Sequence, residues 1–167
     1  MLEYHTGALL HATSTVWSRL DNIQSSFLAE LQLDEATAFL KYNFAPPILR
    51  RDIRMLGFIH KRVLGQCHAA LKRFLPLSTI PTSWHNKPVN VFLDGCVTQH
   101  RLYERSLFGT ASVYNRLHQC LIDISSVKGF QSALTDLAKQ RCNVGDIHWK
   151  ESFHSSSEVW RTRRFMD

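Results

Sequence analysis

The segment from Pro47 to Leu64 constrains the fold of this chain more than any other stretch. At about 100° per residue, its apolar side chains share one face of a helix: Leu49, Ile53, Leu56, Ile59, Val63 and Leu64. Its cations fall on the other side: Arg50, Arg51, Arg54, Lys61 and Arg62, with Phe58 among them. Pro47 suits the first turn of a helix, and Gly65 suits its C-terminal end. The segment therefore predicts an amphipathic helix with one buried face and one basic face.

Similar periodicities predict helices along most of the chain. Apolar residues recur every three or four positions from about Leu9 to Leu31, which predicts a long first helix. Its stripe comprises Leu9, Thr13, Val16, Leu20, Ile23, Phe27 and Leu31. Asp34 suits the N-cap of a short second helix. Further helices are expected near 69–75, 107–121 and 127–142, the last capped by Ser125 or Ser126, with a final turn near Trp149. The fold class is therefore mainly α, an amphipathic helical bundle.

The stretch between the two helical regions has a different composition. Residues 77–87 are rich in Ser, Thr, Pro and Asn, which is typical of a loop. Strand-forming residues surround Asp94-Gly95, a dipeptide common in tight turns, so a small β-hairpin near 89–97 fits this part of the chain. The sequence then divides into a helical region at 1–76, a connector at 77–104, a second helical region at 105–154 and a mobile basic tail at 155–167.

Composition and charge narrow the class of protein and its partners. The chain has 167 residues, of which 44% are hydrophobic and 20% charged, as in globular domains. Its net charge of +6 favours polyanionic partners such as nucleic acid. No apolar run approaches the ~20 residues of a membrane span, so no membrane partner is expected. No signal peptide is visible, and the four cysteines are widely separated. A reducing compartment, cytoplasmic or nuclear, follows from these features.

Residues capable of catalysis or metal binding do not form a recognisable site. Two-metal chemistry on phosphates requires clustered carboxylates, whereas the aspartates of this chain occur singly. The cysteines and histidines lack the paired short spacings of structural zinc sites. Cys120 and Cys142 fall on apolar helical faces and are expected to be buried thiols. No nucleophile motif of the G-x-S-x-G type occurs. We therefore expect no catalytic residue, no metal site and no cofactor in this chain.

Two ionisable residues of the 47–64 helix receive structural interpretations. His60 falls on the apolar side, which predicts a partly buried, hydrogen-bonded histidine. Asp52 lies near the start of the helix, where a carboxylate favours the helix dipole. We therefore expect Asp52 to have a structural role, in which it favours the helix dipole and can pair with neighbouring arginines.

Several motifs in order resemble the region that follows the catalytic palm in reverse transcriptases of jockey-like, non-LTR retrotransposons. The first is Arg19-Leu-Asp-Asn-Ile-Gln-Ser-Ser-Phe-Leu28. The second runs from Tyr42-Asn-Phe-Ala-Pro46 through Leu49-Arg-Arg-Asp-Ile-Arg-Met-Leu-Gly-Phe-Ile-His-Lys61. A later block contains Arg105-Ser-Leu-Phe-Gly109, Val113-Tyr-Asn-Arg-Leu117 and Ser126-Val-Lys-Gly-Phe-Gln131. The resemblance covers roughly Glu3 to Phe153, most of the chain.

The resemblance implies a thumb-like region at 1–76 within a truncated, non-catalytic fragment of an RNA-directed DNA polymerase. In that family the aspartates that hold Mg²⁺ belong to the palm, so Mg²⁺ is expected only for that missing domain. The family's thumb grips the template–primer duplex, which implies contact with RNA or an RNA–DNA hybrid through the phosphate backbone, without sequence readout. The residues implied in this contact are Arg50, Arg51, Arg54, Lys61 and Arg62, with Phe58 stacking on a base or sugar.

Three other interpretations stay open at this point. The basic side of the helix could be an ordinary solvated surface, whose arginines cover apolar neighbours and pair with acids elsewhere. The amphipathic helices could serve protein–protein contact, either with the rest of a polymerase or by self-association through an uncovered apolar face of the first helix. The chain could also be the inert remnant of a decayed retroelement.

Overall fold

Helices make up most of the chain that the structure, a computed structural model, describes: residues 14–78, Val89 and residues 106–155. In order they are α1 (Ser14–Glu30), α2 (Glu35–Tyr42), α3 (Pro47–Val63), α4 (Ala69–Phe74), α5 (Leu107–Tyr114), α6 (Gln119–Ile122) and α7 (Val127–Asn143), then a short 3-10 helix (Trp149–Glu151). None of these helices combines the length and the apolar character needed to cross a membrane. The predicted mainly α fold class is confirmed.

Some sequence predictions fall outside the described residues. These are the first turn of the predicted first helix, most of the expected hairpin near 89–97 and the basic tail after residue 155. Val89 forms an isolated antiparallel bridge with Leu77. The Val89 N–H donates to Asn115 Oδ1, and Asn115 Nδ2 donates to the Val89 carbonyl, both at 2.8 Å. Val89 is therefore anchored at the end of α5.

The helix ends follow the local chemistry of the sequence. Asp34 Oδ1 accepts the Thr37 N–H at 2.8 Å at the start of α2, and Ser126 Oγ accepts the Gly129 N–H at 3.0 Å at the start of α7. Gly65, with φ +76°, ends α3 in the left-handed conformation that glycine tolerates. The predictions for these three ends are confirmed.

The predicted helix over 107–121 is wrong, because the structure contains two shorter helices there. α5 ends at Tyr114, and α6 begins only at Gln119. The His118 side chain accepts the Cys120 N–H at 3.3 Å and so caps a new helix. Apolar periodicity alone did not show this break, since Leu117 lies between the two helices and continues the spacing of apolar positions.

The core forms around α3, which contacts α1, α5, α7 and the 3-10 helix. Leu49, Leu56 and Ile59 have no exposed surface, as their position on the apolar face predicts. Gly57 is buried where α7 passes, and a Cβ at this residue would lie 2.3 Å from Gln131 Nε2. The space beside Gly57 is therefore occupied by the Gln131 side chain of α7.

The 3-10 helix covers another part of the core, where it contacts α3 and α7. The Trp149 ring stacks on Phe39 of α2, with the ring centres 5.1 Å apart and the planes within 4° of parallel. Phe153, just beyond this helix, is 1% exposed. The final turn that the sequence predicts near Trp149 is confirmed, and it lies against α3.

The apolar stripe of α1 lies mostly in solvent. Val16, Ile23, Phe27 and Leu31 are 42%, 64%, 50% and 51% exposed. α1 instead turns a different side, with Gln24 and Leu28 buried, toward the rest of the molecule. The exposed stripe is consistent with the interpretation in which the apolar face of the first helix is uncovered.

Candidate nucleic-acid interface

The first two arginines of α3 are held by side chains of α1. Arg50 Nη2 donates to Gln24 Oε1 at 2.7 Å, and Gln24 Nε2 donates to the Ala45 carbonyl at 3.3 Å. Arg51 lies 3.9 Å above the Trp17 ring and 3.5 Å from the Asp21 carboxylate. Burial lowers the pKa of the Arg51 guanidinium, and the charge of Asp21 opposes that change. Both arginines therefore join α1 to α3.

Arg62 has a similar role at the other end of α3. Its Nε donates to the Leu75 carbonyl at 2.9 Å, and the residue is half-buried. Leu75 directly follows α4, so this hydrogen bond fixes the end of α4 beside the end of α3. Because the side chain is used in this contact, Arg62 contributes less to the open surface than the sequence predicts.

The remaining three predicted site residues form a continuous exposed strip, which we call the α3 stripe: Arg54, Phe58 and Lys61. Their spacing of four and three residues places them above one another on one side of the helix. Phe58 is 44% exposed between the two cations. An exposed aromatic ring flanked by two positive charges presents both a stacking surface and anion-binding groups to the solvent.

Two further cations, not among the predicted site residues, lie near the C-terminal end of α3. Lys72 and Arg73 of α4 are both exposed. The Arg62–Leu75 hydrogen bond places α4 next to the C-terminal end of α3, so these cations lie at the same end of the helix as Lys61. The adjacent Lys72 and Arg73 are visible in the sequence within a short predicted helix. Their position near α3, however, depends on the tertiary contact between Arg62 and Leu75.

His60 has a structural role beneath the α3 stripe. It is fully buried, not partly buried as predicted, and its ring stacks on Phe130 with the ring centres 4.1 Å apart. Because the Ile124 carbonyl can only accept, Nε2–H donates to it at 2.7 Å. Nδ1 then accepts the Tyr114 hydroxyl at 2.9 Å. Burial lowers the pKa of His60 and raises that of Tyr114, so both groups stay neutral in the folded protein at neutral pH.

Asp52 differs in part from its sequence interpretation. Its Oδ2 is buried and has no hydrogen-bond partner, although the residue as a whole is partly exposed. Burial raises the pKa of Asp52 to about 7, the Glu151 carboxylate adds to this rise, and Arg51 opposes it. The interaction with Arg51 agrees with the sequence interpretation, whereas the buried Oδ2 and the raised pKa do not fit a solvent-exposed acid in the first turn of a helix.

The two thiols predicted to be buried separate into different environments. Cys142 is buried, as expected, whereas Cys120 is exposed with its Sγ 3.2 Å from His118 Nδ1. Cys120 lies at the start of the separate helix α6, so the burial expected for one continuous helix does not apply. Among residues 14–78 and 106–155, no three His, Cys, Asp or Glu side chains converge as a metal site requires.

The geometry divides the six predicted site residues into two groups of three. Arg50, Arg51 and Arg62 hold neighbouring elements together, whereas the α3 stripe faces the solvent. A surface of this kind can bind phosphates and stack on a base. No protein-family model, no curated protein and no solved structure matches the chain.

Proposed function

We propose that the α3 stripe binds RNA or an RNA–DNA hybrid through the phosphate backbone, without reading its sequence. The observation that carries this proposal is the exposed Phe58 between the exposed cations Arg54 and Lys61. The net charge of +6 supports a polyanionic partner. The resemblance to the region after the palm of retrotransposon reverse transcriptases supports the same partner. On this proposal the chain is a non-catalytic, nucleic-acid-binding segment of an RNA-directed DNA polymerase.

The dimensions of the α3 stripe suit a nucleic-acid strand. Arg54 and Lys61 are two helical turns apart, about 10 Å along the axis. This distance corresponds to about three nucleotide steps along one strand of a duplex. The two cations can therefore contact separate phosphates of one strand, while Phe58 lies between them. Phosphate contacts hold the strand but carry no sequence information, which makes the binding sequence-independent.

The main competing interpretation is a solvated surface without a ligand. Arg50, Arg51 and Arg62 fit it, because their side chains hold α1 and the end of α4 against α3. The α3 stripe differs because it leaves a large aromatic side chain in water between two cations. Since all three stripe residues are exposed, they can be substituted with little effect on the core.

Reversing both charges of the α3 stripe tests the proposal directly. We expect Arg54→Glu with Lys61→Glu to weaken binding to a fluorescently labelled RNA–DNA hybrid by at least about tenfold at about 50 mM salt. Two phosphate contacts are lost, so the slope of log affinity against log salt should fall by up to about two. Fluorescence anisotropy at about 50 and 200 mM salt measures both quantities.

The matched control reverses two exposed lysines on other helices, Lys41→Glu with Lys128→Glu. It changes the net charge by the same amount but leaves the α3 stripe intact, so we expect a much smaller loss of affinity. An equal loss in both double variants would mean that only overall charge matters and would overturn the proposed site. Absence of binding by the folded wild-type protein at the lower salt would overturn the proposed function itself.

A substitution at Phe58 distinguishes the contribution of stacking to affinity from that of charge. We expect Phe58→Leu to weaken binding of a labelled single-stranded RNA by about tenfold, because stacking on an aromatic ring contributes about 1–3 kcal/mol per base. Affinity for a duplex should change little, since paired bases are not free to stack on the protein. Equal affinities of wild type and Phe58→Leu for the single strand would show that the ring has no stacking role, whatever the charged variants do.

A further inference from the structure

α1 presents an apolar surface that the described part of the chain covers only at Phe27, whose ring packs edge-on against Phe44 with the ring centres 6.1 Å apart. Four large side chains on this side, three in α1 and Leu31 directly after it, are between 42% and 64% exposed: Val16, Ile23, Phe27 and Leu31. Together with the half-buried Leu20, they follow one another at intervals of four, three, four and four residues. Alternating intervals of three and four produce the seam along which one helix packs against another. A continuous apolar strip of this size is typical of an interaction site.

The charges beside this strip indicate what covers it. Arg19 follows Val16 by three residues, and Glu30 follows Phe27 by three, so both lie on the same flank of the strip. Both residues are exposed. When two copies of a helix pack antiparallel, equivalent flanks come together, so a positive group near one end meets a negative group near the other. The flank is therefore complementary to itself.

We infer that α1 pairs antiparallel with α1 of a second copy of this chain. A two-fold axis near Ile23 relates the two copies, so Val16 of one copy lies level with Leu31 of the other. In this arrangement the level of Arg19 differs from that of the opposing Glu30 by about 3 Å, so two symmetric ion pairs form. A parallel pair would separate the same two groups by about 16 Å along the axis. This inference does not depend on nucleic-acid binding by the α3 stripe.

A second copy fits the strip better than an unrelated acidic or basic partner. Such a partner would complement only one of the two charges on the flank, whereas a second copy complements both. An interface of one helix from each copy is small beside the roughly 1,200–2,000 Å² of stable complexes. We therefore expect a weak dimer, with a dissociation constant on the order of 10 µM.

Sedimentation equilibrium of the full chain between about 1 and 300 µM tests the dimer. We expect a monomer–dimer equilibrium in the wild type and at least about a hundredfold weaker association in Ile23→Glu with Phe27→Glu, because two central apolar contacts are lost. The matched control is Val144→Glu with Ile147→Glu, the same change at apolar residues that are 81% and 82% exposed elsewhere. This control should dimerise like the wild type, and circular dichroism should show equal helix content in all three proteins.

Charge reversal tests the antiparallel orientation. Arg19→Glu and Glu30→Arg should each weaken association by about three- to tenfold, since each leaves like charges opposite one another twice. The two substitutions combined exchange the charges and should restore wild-type association. The inference is overturned if the wild type remains monomeric to about 300 µM, or if its dimer is insensitive to Ile23→Glu with Phe27→Glu. It is also overturned if the combined charge variant is as weak as the single ones.

Discussion

Replacement of His60 by leucine is expected to lower the free energy of unfolding by about 3 kcal/mol or more. Leucine fills most of the volume but removes both hydrogen bonds of the imidazole. The Ile124 carbonyl and the Tyr114 hydroxyl would then be buried without partners, at a cost of about 1–3 kcal/mol each. Loss of the stacking on Phe130 adds to the effect. Urea unfolding at pH 7.5, followed by circular dichroism, measures the difference.

Two further variants separate the contributions at this site. Tyr114→Phe removes the hydroxyl but retains the ring, so it is expected to cost about 1–2 kcal/mol, less than His60→Leu. His148→Ala, at an exposed histidine, is expected to change the free energy of unfolding by no more than about 0.5 kcal/mol. If His60→Leu were no more destabilising than His148→Ala, the buried arrangement of His60, Tyr114 and Ile124 would be contradicted.

The extent of α3 could be predicted because several local signals agree over that segment. The apolar spacing, Pro47 at the start and Gly65 at the end all depend on residues close together in the chain. The same holds for α2 and α7, where Asp34 and Ser126 cap the first turn. Caps and periodicity are local properties, so they require no knowledge of the tertiary fold.

The division of the basic residues could not be predicted in the same way. Whether Arg50 or Arg54 faces the solvent depends on the position of α1, and the Gln24 amide that holds Arg50 is 26 residues away in sequence. The pattern of α1 indicated an apolar side, but a pattern does not show whether that side or another one packs against the rest of the molecule. The environment of Asp52 likewise depends on the 3-10 helix, about a hundred residues later in the chain.

Replacement of Asp52 by asparagine is expected to stabilise the protein at alkaline pH and to have little effect at acidic pH. Burial raises the pKa of Asp52 in the folded protein to about 7, from the ordinary value of 3.8. Between these values the folded state holds a proton that the unfolded state has lost, so stability falls as the pH rises through this range. A shift of this size corresponds to about 4 kcal/mol at most. Because Asp52 is partly exposed, we expect a gain of about 1–3 kcal/mol at pH 8.

The measurement compares the free energies of unfolding of Asp52→Asn and wild type at about pH 4, 6 and 8. His60 acts in the opposite direction, because its lowered pKa makes the folded state lose stability as the pH falls below about 6.5. Since His60 is present in both proteins, its contribution cancels in the difference. Asp136→Asn, at an exposed aspartate, is the matched control and should change stability by less than about 0.5 kcal/mol.

Glu151 supplies an independent test of the cause. Its carboxylate adds to the rise in the pKa of Asp52, so Glu151→Gln should lower that pKa. The free energy of unfolding of this variant should then decline less steeply between pH 4 and 8 than that of the wild type. The effect should be smaller than that of Asp52→Asn, because burial, the larger cause, remains. The combined variant, Asp52→Asn with Glu151→Gln, should show nearly the same pH dependence of stability as Asp52→Asn alone, because the titrating carboxyl of residue 52 is absent from both. A difference between Asp52→Asn and wild type that stays constant from pH 4 to 8 would show that the carboxyl does not titrate in a buried position.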